Sequence, residues 1–420
     1  MSHYSIRCRN CGTIIQNTFS AFGEHCKDAL LVTDYHDARF IESTPDGGAW
    51  RFNWLPAHEQ KLVQPGPVVY QSHGLAEYLG LTNLYIVFNG YWPEKGALLE
   101  TCTFKEFEAA IVLQNAQESG IKGLIVASAG NTARAFAHLS AATGFPVVIV
   151  VPRMCLSEMW YLEQRSPVPT LAVGDGDYAD SIDVAQKISM TLGFPFEGGV
   201  YNIAKRDGLG IVMLEAVSKI GRIPDHYVQA VGSGTGAVGV WEMAERFARD
   251  GRYGSRLPVL HLGQNLPFAP MVHAWDKNSR TLNPDDLRPE LIGYITTRVL
   301  STRYPAYSVK GGVFDALTAT NGRMYGVEND AVYACMATFL KTEGIDVVPA
   351  SGVAVAALMQ AVQRGAIGTN DTVLLNITGG GEARLRREKE TYAVTPQFIS
   401  KNVTAREIEE MLCHILKKNC

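Results

Sequence analysis

The sequence predicts an α/β protein with two parallel sheets in three-layer domains, preceded by a short cysteine-bearing segment. From residue 65 onward, short runs rich in Val, Ile and Leu alternate with helical stretches, which is typical of parallel strands covered on both faces. Several of these runs end in glycine- or serine-rich turns. Because parallel sheets bind ligands at the carboxyl ends of their strands, we expect the functional residues in these turns.

Seven runs have the composition of buried strands. They span residues 83–90, 123–130, 146–152, 170–174, 226–236, 258–265 and 372–381. Helical stretches separate them, and one of these is "NTARAFAHLSAATG". The alternation of strand and helix predicts βαβ connections throughout this part of the chain.

The composition is that of an ordinary globular protein. The chain has 420 residues, 46% of them hydrophobic and 19% charged, which is enough for two or three domains. A net charge of -4 provides no basic field for nucleic acid or a membrane surface. We find no apolar run of membrane-spanning length and no signal-peptide core at the start, so we expect a cytoplasmic protein acting on small molecules.

Eight cysteines are too few for a secreted disulfide scaffold, so we expect reduced thiols. Cys8 and Cys11 have the spacing of a zinc knuckle, and Cys26 is a plausible third ligand. A fourth ligand would have to come from His25, Asp28 or His36. An unmetallated hairpin fits the spacing as well, and we assign no metal to the predicted site.

The clearest ligand-binding turn is "VGSGTGAVG". Gly232, Gly234 and Gly236 remove side chains that would keep a phosphate away from the loop amides and from a helix beginning near Ala237. Hydroxyl donors are added at Ser233 and Thr235. The turn therefore predicts a phosphate site, although a merely tight turn would use glycines too.

A dinucleotide fingerprint is the competing interpretation, because Gly234, Gly236 and Gly239 fit its spacing. That fingerprint requires an acidic residue at the end of the next strand to hold a ribose. The next run ends in Gln264 and Asn265 instead, which favours a single phosphate.

A second turn, "ASAGN", lies between a predicted strand and a predicted helix. Its amides and hydroxyls suit a carboxylate, and Asn131 could hydrogen-bond a phenolic oxygen. A simple helix start capped by Ser128 or Asn131 is the alternative. The residues of this turn are Ser128, Ala129, Gly130, Asn131 and Thr132.

A third turn, "NITGGG", puts Thr378 after a buried strand and lets the backbone of Gly379–Gly381 pass close to a flat group. A plain glycine-rich strand exit has the same composition.

Lys105 stands where a cation is disfavoured. Thr103 and Glu106 have the spacing of a capping box, which predicts a helix beginning at Phe104 with Lys105 in its first turn. The positive end of a helix dipole lowers the pKa of an ammonium group and favours the free amine, which a Schiff-base lysine requires. A solvated lysine is the ordinary alternative, but a lysine, a phosphate turn and a glycine-lined slot together indicate pyridoxal 5′-phosphate.

These motifs resemble those of the fold-type II pyridoxal-phosphate enzymes of the threonine synthase group. The similar segments are "TFKEFEA", "ASAGNTARAFA", "GSGTG" and "LNITGGG", together with "YNIAKRDGLGIVMLEA", "KGGVFDALTATNG" and "EGIDVVPASGVAVAAL". The resemblance covers about residues 65 to 385 and implies a tryptophan synthase β-like fold and a homo-oligomer. It divides the chain into a cysteine-bearing segment (1–45), a large cofactor-binding domain (46–105 and 225–400), a small mobile domain (106–224) and a terminal helix (401–420).

The resemblance also implies residue roles. Lys105 would carry the cofactor as an aldimine and serve as the base for the α-proton. Asn131 would hydrogen-bond the O3′ atom of the cofactor, Gly232–Gly236 would hold its phosphate, and Thr378 would face its pyridine nitrogen. The turn at Ser128–Thr132 would hold the substrate carboxylate.

The reaction implied by the resemblance would require two anions, phosphate and sulfite, to be held near Cβ of the substrate. Lys205 and Arg206 are the candidate partners, with Arg134 a weaker one, and a solvated basic patch is the alternative.

Two departures from threonine synthases indicate the reaction. The long insertion "NGYWPEKGALLETCTFK" and the segment "TGGGEARL" are similar to a member of the group that serves coenzyme M biosynthesis. That enzyme converts O-phospho-L-serine and sulfite to L-cysteate and phosphate through an aminoacrylate. The alternatives are a threonine synthase acting on O-phosphohomoserine with water, a cysteine synthase using sulfide, a nicotinamide-dependent oxidoreductase and a catalytically silent binding protein.

Overall fold

A computed structural model describes residues 3–15, 26–43, 45–57 and 64–416. Its strands are β1 (Tyr4–Cys8), β2 (Ile14–Ile15), β3 (Leu31–Tyr35), β4 (Val68–Gln71), β5 (Asn83–Phe88), β6 (Tyr91–Trp92), β7 (Ala97–Leu98), β8 (Leu124–Ala127), β9 (Val147–Pro152), β10 (Trp160–Tyr161), β11 (Thr170–Val173), β12 (His226–Ala230), β13 (Val259–Asn265), β14 (Arg323–Val327), β15 (Thr372–Ile377), β16 (Tyr392–Ala393) and β17 (Gln397–Ile399). Its helices are α1 (Gly74–Leu79), α2 (Lys105–Glu118), α3 (Asn131–Thr143), α4 (Tyr178–Leu192), α5 (Ile203–Ile220), α6 (Thr235–Asp250), α7 (Pro270–Asp276), α8 (Val313–Ala319), α9 (Asn329–Glu343), α10 (Pro349–Gln363), α11 (Glu382–Glu388) and α12 (Ala405–Leu416).

The larger sheet has the strand order β14-β13-β12-β15-β5-β4. Its strands are parallel except β4, which pairs antiparallel with β5 at one edge. The residues of β12 and β15 are buried throughout, as expected of strands covered by helices on both faces. The turns that follow these two neighbouring parallel strands therefore meet at the same edge of the sheet.

The smaller sheet is parallel throughout, in the order β17-β11-β9-β8. The strands β8, β9 and β11 are fully buried, and α12 packs against α4 on this sheet. The edge strand β17 thus pairs with the smaller sheet, although the sequence-based division placed it in the large domain. The domain boundaries themselves stay a prediction.

The sequence-predicted strands are confirmed, since each of the seven runs contains a strand of one of the two sheets. Two helix starts differ from the expected positions. The helix after the "GSGTG" turn begins at Thr235 instead of near Ala237, and α2 begins at Lys105 instead of Phe104.

In the described part of the chain, no helix is both long enough and apolar enough to cross a membrane.

The first three strands form a small antiparallel sheet in the order β2-β1-β3, held against α5 and α6 by a buried ion pair. Arg246 on α6 lies 2.8 Å from Asp207 on α5. The hydroxyls of Thr33 and Tyr35 on β3 donate to the same Asp207 carboxylate at 2.5 and 2.8 Å. Because the charged groups are paired and hydrogen-bonded, their burial fixes β3 on the helix pair.

Gly381 shows why the turn after β15 is rich in glycine. Its φ is +74°, and a Cβ atom there would lie 1.9 Å from the carbonyl oxygen of Tyr91. A Cβ on Gly379 would lie 2.8 Å from the carbonyl oxygen of Cys102, and one on Gly380 would lie 2.7 Å from that of Asp346. Glycine at these three positions therefore allows other backbone segments of the protein to pack closely against the turn.

We expect Gly381→Ala to lower the urea midpoint of unfolding far more than Gly80→Ala. Both glycines have positive φ, but a Cβ on Gly80 meets no atom within 4 Å. The alanine at position 80 therefore carries only the left-handed backbone strain of about 1–2 kcal/mol. The alanine at position 381 also displaces the backbone of Tyr91, and equal midpoints for the two variants would contradict this account of the turn.

Candidate active site

A cleft of about 990 Å³, part of it open to solvent, lies at the carboxyl ends of strands from both sheets. The sequence-predicted turns after β8, β12 and β15 line it, together with the first residue of α2. The predicted residues that line the cleft are Lys105, Ser128, Ala129, Gly130, Asn131, Thr132, Lys205, Gly232, Ser233, Gly234, Thr235, Gly236 and Thr378. The structure therefore brings together residues that are far apart in the sequence.

Lys105 is fixed at the start of α2 by the turn that follows β15. The backbone N–H of Phe104 donates to the carbonyl oxygen of Thr378 at 3.0 Å, and the hydroxyl of Thr103 donates to the same oxygen at 3.2 Å. The expected capping box is absent, because the Glu106 carboxylate accepts from the backbone and side chain of Thr101 at 2.5 and 2.8 Å. The start of α2 is therefore held by hydrogen bonds to the turn after β15, in place of the expected capping box.

A chain of four ionisable side chains leads from the partly exposed Lys105 into the protein. Its Nζ lies 3.0 Å from Glu108, whose side chain is fully buried. The other oxygen of Glu108 lies 3.3 Å from Nζ of Lys205 and accepts from the Thr132 hydroxyl at 2.6 Å. Lys205 also lies 3.1 Å from Glu197. We call Lys105, Glu108, Lys205 and Glu197 the charge chain.

The pKa values of the two lysines of the charge chain are shifted in opposite directions. Burial lowers the pKa of Lys105 below its ordinary value; Glu108 opposes this shift, and the second ammonium group, Lys205, adds to it. Burial acts in the same direction on Lys205, but Glu108 and Glu197 outweigh it and raise the pKa of Lys205. Lys205 therefore holds its proton firmly, whereas Lys105 is shifted toward the free amine.

The turn between β8 and α3 presents hydrogen-bond donors to the cleft. The Ser128 hydroxyl oxygen accepts from the amides of Gly130 and Ala133, each at 3.0 Å, so it caps the helix as the simpler interpretation required. The amides of Asn131 and Thr132, in the first turn of α3, have no partner within the helix and suit an anion. Capping and ligand binding are thus compatible in this turn.

The glycine-rich loop between β12 and α6 is shaped by close contacts. A Cβ on Gly232 would lie 2.9 Å from the Cα of Leu300, and one on Gly236 would lie 2.9 Å from the Gln229 amide nitrogen. Gly234 has a φ of +83° and lies against Val313. Only glycine fits these positions without movement. Helix α6 begins at Thr235, directly after Gly234, and Gly236 lies in its first turn.

The end of β13 carries two amides in place of the acid that a dinucleotide fingerprint requires. Gln264 at the end of β13 accepts from the amides of Met271 and Val272, at 2.9 and 3.2 Å. Asn265 donates to Val327 at 2.9 Å and accepts from the Thr297 amide at 3.1 Å. Both side chains support neighbouring loops.

Arg206 and Arg134 do not line the cleft, which corrects the expectation that they contact an anion there. The fully buried side chain of Arg206 pairs with Glu242 at 3.1 Å and also donates to the carbonyl of Leu31. Arg134 donates to the carbonyl of Thr101 at 2.9 Å. Neighbouring residues of a helix point to different faces, so Lys205 and Arg206 cannot both face the cleft. The sequence alone does not reveal which of the two does.

Sequence reasoning missed several cleft residues, including Tyr178, Thr302 and Tyr304. Tyr178 follows Asp177, the cap of α4, whose capping box with Asp180 is readable from the sequence. Asp177 also pairs with Arg303 at 2.6 Å, which joins α4 to the loop carrying Tyr304. No sequence signal indicates that long-range pair.

The three cysteines of the amino-terminal segment come together in the fold. Their sulfur atoms lie within 4.8 Å of one another, and the described residues Asp28 and His36 do not belong to the group. His25, the remaining predicted ligand, lies outside the described residues.

The chain belongs to the family of pyridoxal-phosphate-dependent enzymes, which matches residues 88–379. It is 49% identical to the cysteate synthase of Methanosphaerula palustris, over 94% of this chain and 93% of that protein. It is 43% identical to the cysteate synthase of Methanosarcina barkeri, over 96% and 98% of the two chains. For the cysteate synthase of Methanocella paludicola, the identity is 46% over 94% of each.

Solved structures confirm the fold. The chain is similar to maize serine racemase with a TM-score of 0.52 and 15% identity, covering 84% of this chain and 92% of that one. It is similar to an O-ureido-L-serine synthase with a TM-score of 0.55 and 12% identity, covering 76% and 88% of the two chains. The expected pyridoxal-phosphate fold type II is therefore confirmed.

The residues of the cleft fit the family's cofactor, pyridoxal 5′-phosphate. A lysine shifted toward its free amine lies at the cleft, as carbonyl condensation requires. The glycine-rich loop and the start of α6 offer amides to a phosphate. Thr378 is 6% exposed, and its hydroxyl forms no hydrogen bond within the described residues, so it is free for a ring atom.

We expect Glu108→Gln to move the pH profile of cofactor binding to lower pH. A carboxylate 3.0 Å away favours the charged form of Lys105, so removing its charge lowers the pKa of that lysine further. Binding of pyridoxal phosphate to apoenzyme, followed by absorbance, should reach half its maximal rate about 1–3 pH units lower.

Glu118→Gln is the matched control, because it removes a charge from the exposed end of the same helix. This variant should keep the wild-type profile. An unchanged profile in Glu108→Gln, or a shift to higher pH, would show that Glu108 does not set the charge of Lys105.

Proposed function

We propose that this chain converts O-phospho-L-serine and sulfite to L-cysteate and phosphate by a pyridoxal-phosphate-dependent β-replacement. In this reaction the bond from Cβ to the phosphate oxygen breaks and a bond from Cβ to sulfur forms. The observation that carries the proposal is 43–49% identity to proteins named cysteate synthase over nearly the whole length of both chains. The cleft supports it with a lysine and two anion-binding turns.

In this proposal Lys105 holds the cofactor and moves the α-proton of the substrate. Pyridoxal phosphate bound there withdraws electrons from Cα of the amino acid, which makes the α-proton acidic. A base needs a lone pair, and burial favours the free amine by lowering the pKa of Lys105. The hydrogen bonds from Thr103 and Phe104 to Thr378 hold the start of α2, so the amine keeps its position.

The turn at Ser128–Thr132 binds the substrate carboxylate through the amides at the start of α3. The Thr132 hydroxyl donates to Glu108 at 2.6 Å, and its backbone amide, in the first turn of α3, is available to the substrate. Asn131 accepts from Arg134 at 3.2 Å through its side-chain oxygen. Its amide nitrogen is thereby directed to donate, and we assign it to the O3′ oxygen of the cofactor.

The loop Gly232–Gly236 binds the cofactor phosphate with its amides and with Ser233 and Thr235. These two hydroxyls lie 2.8 Å apart, so one of them donates to the other and the second proton is free for a phosphate oxygen. Thr378 faces the pyridine nitrogen. A hydroxyl cannot keep that nitrogen protonated as a carboxylate would, which favours elimination of phosphate over transamination.

Lys205 is the remaining candidate for holding the leaving phosphate or sulfite. It lines the cleft, but Glu108 and Glu197 already balance its charge. We therefore assign it a weaker direct role and a larger electrostatic effect on Lys105. We also propose that the protein is a cytoplasmic homo-oligomer in which the small domain, about residues 106–224, moves over the cleft.

The proposal is tested by phosphate release from O-phospho-L-serine by cofactor-loaded protein, with and without sulfite. We expect release that depends on sulfite, equals the cysteate formed and falls about 10³-fold or more in Lys105→Ala, which removes the base. Lys122→Ala, at an exposed lysine beyond α2, should keep full activity.

Other outcomes would identify the alternatives. Release from O-phosphohomoserine but not from O-phospho-L-serine would make the chain a threonine synthase. Cysteine formed from sulfide in preference to cysteate from sulfite would make it a cysteine synthase. No reaction with any of these substrates would contradict the proposal.

We expect Thr378→Asp to divert part of the turnover into side reactions at the cofactor. A carboxylate opposite the pyridine nitrogen would keep it protonated and strengthen electron withdrawal by the ring. The measurement is loss of the cofactor's aldehyde form per cysteate produced, with Thr378→Ser as the conservative control. An unchanged ratio in Thr378→Asp would remove Thr378 from this role.

A further inference from the structure

The amino-terminal sheet carries a cluster of three thiols that the proposed reaction does not use. Cys8 ends β1, Cys11 lies in the following turn, and Cys26 precedes β3. All three are free thiols, and their sulfur atoms lie within 4.8 Å of one another. Cys11 is exposed, whereas Cys8 is 3% exposed, so the cluster extends from the surface into the sheet.

Neighbouring groups direct N–H donors at two of these sulfur atoms. The backbone N–H of Asn10 lies 3.4 Å from the sulfur of Cys8, and its side-chain amide nitrogen lies 3.6 Å from that of Cys26. Gly12 has a φ of +72° and donates to the carbonyl oxygen of Cys8 at 3.0 Å, which closes the turn. Donors of this kind stabilise negative charge on sulfur, which is the form that binds a metal.

The spacing of the sulfur atoms fits a tetrahedral metal site. With Zn–S bonds of about 2.3 Å, two thiolates on one tetrahedral Zn²⁺ are about 3.8 Å apart, so small side-chain rotations suffice. A disulfide would join only two of the three thiols and leave the third unexplained. In the described part of the chain, no fourth His, Cys, Asp or Glu belongs to the group.

We propose that Cys8, Cys11 and Cys26 bind one Zn²⁺ ion. The site is structural, since it ties the β1–β2 hairpin to the chain entering β3. It does not touch the cleft, whose lining contains none of the three cysteines.

The proposed site stabilises the sheet on which α5 rests. Arg9, between two of the ligands, pairs with Glu245 on α6 at 2.7 Å, and its backbone N–H donates to Leu30 at 2.9 Å. The β3 residue Thr33 donates to Asp207 on α5. Loss of the metal should therefore loosen this sheet and lower the thermal stability of the holoenzyme without removing its cofactor.

The test is the zinc content of holoenzyme purified under reducing conditions without chelators. We expect about one Zn²⁺ per chain in the wild type and at least a tenfold loss of zinc in Cys11→Ser, a change at an exposed position. Cys335→Ser, in α9, is the matched control and should keep its zinc. Bound pyridoxal phosphate, measured by absorbance, should be equal in all three proteins.

Substitution with Co²⁺ supplies a second readout. Tetrahedral thiolate ligation should give intense d–d bands at longer wavelengths than the cofactor absorbs, in the wild type and Cys335→Ser but not in Cys11→Ser. Two results would overturn the proposal: wild-type zinc no higher than that of Cys11→Ser, or a disulfide among the three cysteines in protein without metal.

Discussion

The rest of the site depends on a carboxylate buried between the amine groups of two lysines. Glu108 has no exposed surface, and it contacts Lys105 on one side and Lys205 on the other. A buried carboxylate is costly unless it is paired and hydrogen-bonded, so α2 and α5 must bring both lysines to it. Lys105 has one carboxylate partner and Lys205 has two, so the pKa of Lys105 is lowered and the pKa of Lys205 is raised.

This requirement explains packing far from the cleft. A Cβ on Gly208 of α5 would lie 2.7 Å from the carbonyl oxygen of Phe107 on α2, so only glycine lets the two helices approach closely enough for Lys205 to reach Glu108. A Cβ on Gly239 of α6 would likewise lie 2.3 Å from the carbonyl oxygen of Arg206. Three helices are thus packed through glycine contacts, and the amino-terminal sheet covers the same helices through the Asp207–Arg246 pair.

The sequence predicted what depends on local pattern, and the structure added what depends on distant pairing. Buried apolar runs identified strands of both sheets, and glycine spacing identified the loop at Gly232–Gly236. The position of Lys105 and the direction of its pKa shift were predicted as well, but the reason given was the helix dipole, whereas burial is the largest cause. Glu108 has the appearance of an ordinary surface residue in the sequence; its importance comes from Lys205, which no local spacing places beside it.

One fold thus holds these two lysines at opposite protonation preferences. Competitive labelling of the apoenzyme with a small amine reagent across pH, followed by mass spectrometry of the peptides, measures both pKa values in one sample. We expect Lys105 to titrate below the ordinary value for a lysine and Lys205 to titrate above it. A Lys105 that titrates at or above that ordinary value, or above Lys205, would contradict this assignment.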